Sequence, residues 1–341
     1  MKYNLLGNTG LRVSELCLGT MTFGGQGGIW TNIGKLDQQS VDDQMKTALD
    51  AGINFIDTAN VYSEGLSEQL TGQAIRNSGA NRHNLVLATK VRGRADAGPN
   101  GSGLTRKHIL YEAEQSLRRL NTDYIDLYQI HGYDELTPIE DTLETLDMLV
   151  KSGKVRSIGA SNLAAWHLMK ALAYSAHNRV AKFVSLQAYY TVAGRDLERE
   201  LVPLLLDQQV GLMVWSPLAG GFLSGKYTRD NASKEGNRRE AFDFPPVDKE
   251  KAYDIIDVLA AMAPSKNATI AQLALAWLLH QKVVSTVIIG AKKPEQLADN
   301  LKAVDVKFSQ DELKKIDDVS KLRLEYPQWM LERQGGDRKK I

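Results

Sequence analysis

The chain has 341 residues, 43% hydrophobic and 24% charged, with 42 basic side chains against 41 acidic ones. That near-balance excludes a nucleic-acid or membrane surface built on bulk charge, and the length fits one large α/β domain or two small ones. The start, MKYNLLGNTG, lacks the basic segment and apolar run of a signal peptide, no stretch approaches the roughly 18 apolar residues of a membrane span, and the one cysteine, Cys17, cannot close an internal disulfide. A cytoplasmic, disulfide-free protein is the expectation.

Tyr3–Leu6 and Arg12–Leu16 flank the turn Gly7-Asn8-Thr9-Gly10 and predict a small hairpin. The strand Leu16–Leu18 follows, with Cys17 read as a small buried hydrophobe. Apolar residues then recur at three- and four-residue spacing in Ser40–Ala51, Ser67–Asn77, Thr105–Leu120, Pro138–Ser152, Ala164–Ser175 and Leu197–Gln209, which predicts helices. Short apolar strands alternate with them: Phe55–Asp57, Val86–Lys90, Ile125–Ile130, Val155–Ala160, Phe183–Gln187 and Gly211–Trp215. Thr137 reads as an N-cap with Pro138 at the first helical position. Helices Glu250–Ala263 and Thr269–His280 precede the last strand, Thr286–Ile289. Pro294–Val304 and Ser309–Ser320 are the final predicted helices, the latter opening on the capping box Ser309-Gln310-Asp311-Glu312.

Strands alternating with helices imply a parallel sheet, which a doubly wound sheet and a closed barrel both satisfy. No strand leads into the G-x-G-x-x-G of a Rossmann site. Polar residues instead fall at the C-terminal ends of many different strands, where a barrel collects its site, and eight strands is the number that closes one. The expected fold is a single (β/α)8 TIM barrel spanning 1–341, with an N-terminal hairpin, extra C-terminal helices, and a tail at 322–341 lying over the mouth.

The second barrel strand ends in Asp57, with Tyr62 in the loop beyond; the third ends in Lys90 and the fourth leads into His131. A free phenol titrates near pH ~10, too high for an efficient acid at neutral pH. A nearby ammonium is expected to lower that by about 1–3 units. Buried Lys90 needs a counter-ion, which Asp57 supplies, and His131 can donate a hydrogen bond to a carbonyl oxygen. Singly, each is an ordinary residue; a strand-end lysine is usually solvated and a lone tyrosine usually packs. Their arrival at one mouth is what suggests proton donation.

Three stretches extend the pattern: Leu18-Gly19-Thr20-Met21-Thr22-Phe23-Gly24, Asn54-Phe55-Ile56-Asp57-Thr58-Ala59 with Tyr62, and Gly159-Ala160-Ser161-Asn162. Together they make the chain resemble the aldo-keto reductases along nearly its whole length. The resemblance implies a catalytic tetrad of Asp57, Tyr62, Lys90 and His131, with Tyr62 as proton donor, and an NADPH/NADP+ cofactor. It places Thr20 and Met21 beside that cofactor, Ser161, Asn162 and Gln187 on its carboxamide, and Trp215 against its nicotinamide ring. Ser216, Pro217, Leu218, Ala219, Gly220 and Lys226 resemble the family's pyrophosphate loop. Gly290 and Lys292 precede a helix N-terminus, a place suited to a 2′-phosphate; Gln296, Asp299 and Asn300 resemble adenosine contacts. Lys292 favours NADP(H) over NAD, although Gln296 stands where some relatives carry Arg.

The implied activity is reduction of aldehydes or ketones to alcohols, or the reverse. Potassium-channel β subunits share the fold but carry Asn at the place of His131, and double-bond reductases of the family carry Glu there. The partners expected are a small carbonyl or alcohol substrate and, as the resemblance allows, further copies of the chain; no nucleic acid or membrane is expected. None of the six histidines has metal-site spacing. Substrate choice is expected to lie in the segments 24–35, 92–103, 189–195 and 229–246, with Tyr326, Trp329 and Met330 of the tail.

Overall fold

A computed structural model describes residues 1–229, 239 and 243–336. Strands β1 (Tyr3–Leu5) and β2 (Arg12–Ser14) pair antiparallel. Eight parallel strands follow: β3 (Leu16–Gly19), β4 (Phe55–Asp57), β5 (Val86–Val91), β6 (Ile125–Ile130), β7 (Val155–Ser161), β8 (Phe183–Tyr189), β9 (Gly211–Trp215) and β10 (Val284–Ile289). They close into a barrel in chain order, β10 returning to pair with both β3 and β9.

The helices are α1 (Trp30–Ile33), α2 (Gln38–Asp50), α3 (Leu66–Asn77), α4 (Arg106–Leu120), α5 (Ile139–Lys151), α6 (Ala165–Asn178), α7 (Leu201–Gln208), α8 (Lys249–Lys266), α9 (Ile270–Leu279), α10 (Pro294–Leu301), α11 (Gln310–Ser320) and α12 (Gln328–Gly335). Apolar faces of the outer helices and the outward residues of the strands form one continuous core. A second, inner cluster fills the barrel: Cys17, Phe55, Val86, Ala88, Leu127 and Met213 meet Leu6 and Val13 of the hairpin. The hairpin therefore stoppers the barrel at the strand starts and leaves the strand C-termini as the mouth. Asn4 fixes it there by donating from Nδ2 to the Ser285 carbonyl at 2.9 Å. Cys17 is wholly buried and free.

The capping box of α11 forms in both halves, Ser309 N–H to Glu312 Oε2 at 2.7 Å and Glu312 N–H to Ser309 Oγ at 3.2 Å. The cap expected at Thr137 does not form. Its hydroxyl donates to Asp134 Oδ2 at 2.8 Å, and Pro138 occupies the N-cap, φ −53° and ψ 135°, without a side-chain bond. Leu197–Gln209 splits into a 3-10 turn, Asp196–Glu198, and α7; the 294–304 segment likewise becomes α10 and the 3-10 turn Lys302–Asp305. The expected tail lies partly outside the described residues, as does part of the 229–246 segment. The described tail is held by Arg199, whose NH1 donates to the Arg323 carbonyl and whose backbone carbonyl accepts from Gln328, and by Lys251, which donates to the Lys321 carbonyl. Tyr326 and Trp329 face each other at 6.0 Å; among the described residues neither ring meets that of Trp30, Tyr62 or His131.

Candidate active site

The mouth gathers Asp57, Tyr62, Lys90 and His131. Asp57 and Lys90 end inward-facing positions of adjacent strands, and Asp57 is in register with Ala88, two residues below Lys90. The Lys90 ammonium reaches across to Asp57 Oδ2 at 2.5 Å, donates to the Thr58 carbonyl at 2.8 Å, and stands 3.3 Å from the Tyr62 hydroxyl. Its side chain is fully buried, as an unpaired ammonium could not be.

Asp57 has two further donors. Gln129 and Gln187 both turn Nε2 to its other oxygen, Oδ1, at 2.9 Å. Gln129 was not among the expected site residues, although its place on β6, two before His131, puts it inside the barrel by strand alternation. Gln187 was expected on a cofactor carboxamide; its N–H faces Asp57, which leaves its carbonyl oxygen for another donor.

Tyr62 sits in the tight segment Tyr62–Gly65, where Ser63 and Glu64 both have positive φ, 51° and 57°. Its ring is edge-on to His131 at 5.8 Å and tilted against Trp30 at 5.4 Å. Trp30 belongs to α1, a four-residue helix too short to leave a periodic signal. A buried ionic cluster stands behind this segment. Arg119 of α4 pairs with Glu68 at 2.6 Å and Glu112 at 3.2 Å; Glu68 accepts from Thr89, next to Lys90, and Glu112 accepts from Asn60, two before Tyr62.

The electrostatics correct one expectation. Burial pushes the Tyr62 phenol above its ordinary value; Lys90 pulls it down, Asp57 adds to the rise, and the net direction is upward. The reason is that burial outweighs the pull of Lys90, and the Asp57 carboxylate adds to the rise. Burial would lower the Lys90 ammonium, but Asp57 and then Tyr62 reverse this and raise it. His131 is pushed down to about 3 by burial and by the charges of Lys90 and Arg92. At neutral pH the mouth holds a protonated phenol, an ammonium and a neutral imidazole.

The remaining expected residues lie at or beyond the ends of β3, β7, β9 and β10. Asn162, with φ of 54°, donates to Ser161 Oγ at 2.9 Å and accepts from the Trp215 indole N–H at 3.0 Å, so Ser161, Asn162 and Trp215 form one linked edge. Phe244 lies parallel to the Trp215 ring at 5.9 Å. Pro217 and Leu218 lead into a distorted 3-10 turn, Ala219–Ser224; Ser216, Ala219, Gly220 and Gly221 all have positive φ, and Ser216 Oγ accepts from the Gly220 N–H. Lys226 is exposed just beyond. Thr20 and Met21 follow β3; the Thr20 hydroxyl is 2.9 Å from that of Ser67. After β10, Gly290 and Lys292 lead into α10, and Lys292 Nζ donates to the Asn32 carbonyl at 3.1 Å. Gln296 accepts from the Lys292 N–H, Asn300 is buried, and Asp299 turns its carboxylate to Thr269 and Gln272. Among the described residues no group of three or more His, Cys, Asp or Glu could hold a metal ion, and no helix is long and apolar enough to cross a membrane.

A model of the Aldo/keto reductase family matches residues 15–321. An uncharacterized oxidoreductase of Bacillus subtilis, YrpG, is 39% identical over 328 residues, covering 94% of this chain and 96% of that protein. A putative aryl-alcohol dehydrogenase of Schizosaccharomyces pombe is 35% identical over 93% of this chain and 95% of its own length. A probable voltage-gated potassium channel subunit beta of Oryza sativa is also 35% identical, over 90% and 92%.

Proposed function

The chain belongs to the aldo/keto reductase family, and from that membership we propose that it is an NADP(H)-dependent oxidoreductase that reduces aldehydes or ketones to alcohols. The observation that carries the reading is the geometry of the mouth: the Tyr62 hydroxyl stands 3.3 Å from the buried Lys90 ammonium, and its ring is edge-on to His131 at 5.8 Å. When bound, the dinucleotide supplies the hydride. His131 donates a hydrogen bond to the substrate carbonyl oxygen and polarises it. Tyr62 gives that oxygen its proton, and the phenolate left behind is held by the adjacent Lys90 ammonium until solvent reprotonates it. Asp57, fixed by Gln129 and Gln187, keeps Lys90 charged and aimed.

The residues present fit a dinucleotide. Ser161, Asn162 and the carbonyl oxygen of Gln187 are placed to hold a carboxamide, with the Trp215 ring as a flat wall beside them. The left-handed residues at Ser216, Ala219, Gly220 and Gly221 curve the backbone into a concave turn, and a Cβ on Gly221 would meet nothing within 4 Å. Lys226 adds charge there. Lys292 at the start of α10 supports a 2′-phosphate, hence NADPH over NADH. Thr20 and Met21 after β3, Gly290 after β10, and Gln296 and Asn300 on α10 are the further residues proposed to meet the dinucleotide, whereas the Asp299 carboxylate is occupied by α9.

Trp30, Tyr133, Tyr189 and Phe244 around the mouth favour a ring-bearing carbonyl, in keeping with the name of the Schizosaccharomyces pombe relative. A regulatory reading rests on the 35% identity to a channel β subunit; His131, edge-on to Tyr62 at the mouth, favours turnover. A panel of aliphatic and aromatic aldehydes, ketones and alcohols with NADPH and with NADH tests the proposal. NADPH-dependent aldehyde reduction is the expected result, and no turnover of any carbonyl with either cofactor would overturn it.

A further inference from the structure

Arg92 lies two residues beyond Lys90, directly after β5. Its φ is 145°, in the half of backbone space that favours glycine. Strain of this kind persists where the surroundings impose it, often for a functional reason. Here the surroundings are explicit. The Arg92 carbonyl accepts from the Gly103 N–H at 2.8 Å, closing the 92–103 loop, and a Cβ on Gly93 would stand 2.3 Å from Val61, the neighbour of Tyr62. On the other side the guanidinium lies over Gly132, the neighbour of His131: a Cβ there would meet Arg92 Cδ and Nε at 3.4 Å and Cζ at 3.9 Å. Arg92 thus sits between the Tyr62 and His131 loops.

Its side chain is held by one edge. Nε donates to the Tyr133 carbonyl at 2.7 Å, which fixes the plane, and the residue is exposed. Among the described residues it forms no ion pair. Asp134 is nearby, but its oxygens accept from the Leu104 and Leu136 N–H groups and from Thr137. Arg94 differs: its guanidinium is tied to Asp96, Gly98 and Ser102 of its own loop. Of these two arginines Arg92 presents its two terminal nitrogens, a planar fork that matches a carboxylate, at the rim of the mouth.

We propose that Arg92 selects the substrate by binding a carboxylate carried on the same molecule as the reacting carbonyl. The guanidinium lies over Gly132, next to His131, so the carboxylate it holds belongs to the same small molecule as a carbonyl at the mouth, for example across an aromatic ring. Arg92 is a specificity-determining residue, and the proposal rests on the carbonyl-reduction reading above.

The test compares 4-formylbenzoate with its neutral counterpart 4-formylbenzamide, using NADPH and the wild-type, Arg92→Gln and Arg92→Lys proteins. The acid is expected to exceed the amide in kcat/KM by about tenfold or more, mainly through KM, a difference of about 1.4 kcal/mol. Arg92→Gln should bring the acid-to-amide ratio near one, and Arg92→Lys, which keeps the charge but not the fork, should restore part of it. In parallel, calorimetric titration of benzoate and benzamide, with and without NADP+, reads the same preference without turnover. A wild-type ratio near one, or a ratio that Arg92→Gln does not move, overturns the proposal while leaving carbonyl reduction standing. Failure to reduce either aldehyde, with benzoate still preferred through Arg92, overturns the reduction reading instead.

Discussion

Lys90 stands nearer to Asp57 than to Tyr62, 2.5 Å against 3.3 Å. Its charge is first the counter-ion of a carboxylate and only second the neighbour of a phenol. That order decides the protonation state of the mouth.

Removing the carboxylate charge should expose this dependence. In Asp57→Asn the buried ammonium loses its counter-ion, and a broken buried pair costs about 3–5 kcal/mol. Urea unfolding should report a loss of that size, together with a fall in activity. Stability equal to wild type would mean that Lys90 does not depend on Asp57.

The Tyr62 phenol should titrate high in the cofactor-free protein. Its folded value is raised above the ordinary value of about 10 because burial outweighs Lys90. An ultraviolet difference titration, wild type minus Tyr62→Phe, isolates this one tyrosine; the expected midpoint lies above pH about 10. A midpoint below about 9 would show Lys90 prevailing over burial.

His131 gives the opposite dependence. Its folded value is about 3, below the roughly 6.5 of an unfolded histidine, so the unfolded chain takes up the proton first. The stabilisation is complete above pH about 6.5 and is lost as pH falls from there toward 3. Wild type should therefore lose stability relative to His131→Asn between pH about 7 and 5, by up to roughly 1.4 kcal/mol per unit and less for the ring's partial exposure. Parallel profiles for the two proteins would contradict it.

The ionic cluster behind Tyr62 gives a test of packing. Arg119→Met leaves Glu68 and Glu112 buried without a cation, at a cost of about 3–5 kcal/mol. The neutral combination Arg119→Met with Glu68→Gln and Glu112→Gln should recover most of that in urea unfolding. No recovery would place the loss in packing and not in charge.

The barrel was legible because its signals are periodic and repeated: eight apolar strands, each followed by helical spacing, left few alternatives. Asp57, Tyr62, Lys90 and His131 were legible because each follows a recognisable strand. The supports were not. Gln129 gives no sign in sequence that it holds Asp57, and Arg119, Glu68 and Glu112 read as ordinary helix charges because their pairing joins two helices. The four-residue α1, which brings Trp30 to Tyr62, is too short to be periodic. Thr137 misled because Asp134, three residues earlier in the same loop, takes its hydroxyl away from the cap. The Tyr62 shift was read with the wrong sign because proximity to Lys90 was visible in the strand order, whereas the depth of burial was not.

The central claim is that Tyr62 gives the substrate its proton. Steady-state reduction of 4-nitrobenzaldehyde by NADPH, with Tyr62→Phe beside wild type and NADPH affinity measured for both, tests it most directly. The substitution removes one hydroxyl whose partner in the structure is Lys90. Unchanged NADPH affinity with kcat lower by about 100- to 10,000-fold is the predicted result; equal rates for the two proteins would contradict the role assigned to Tyr62.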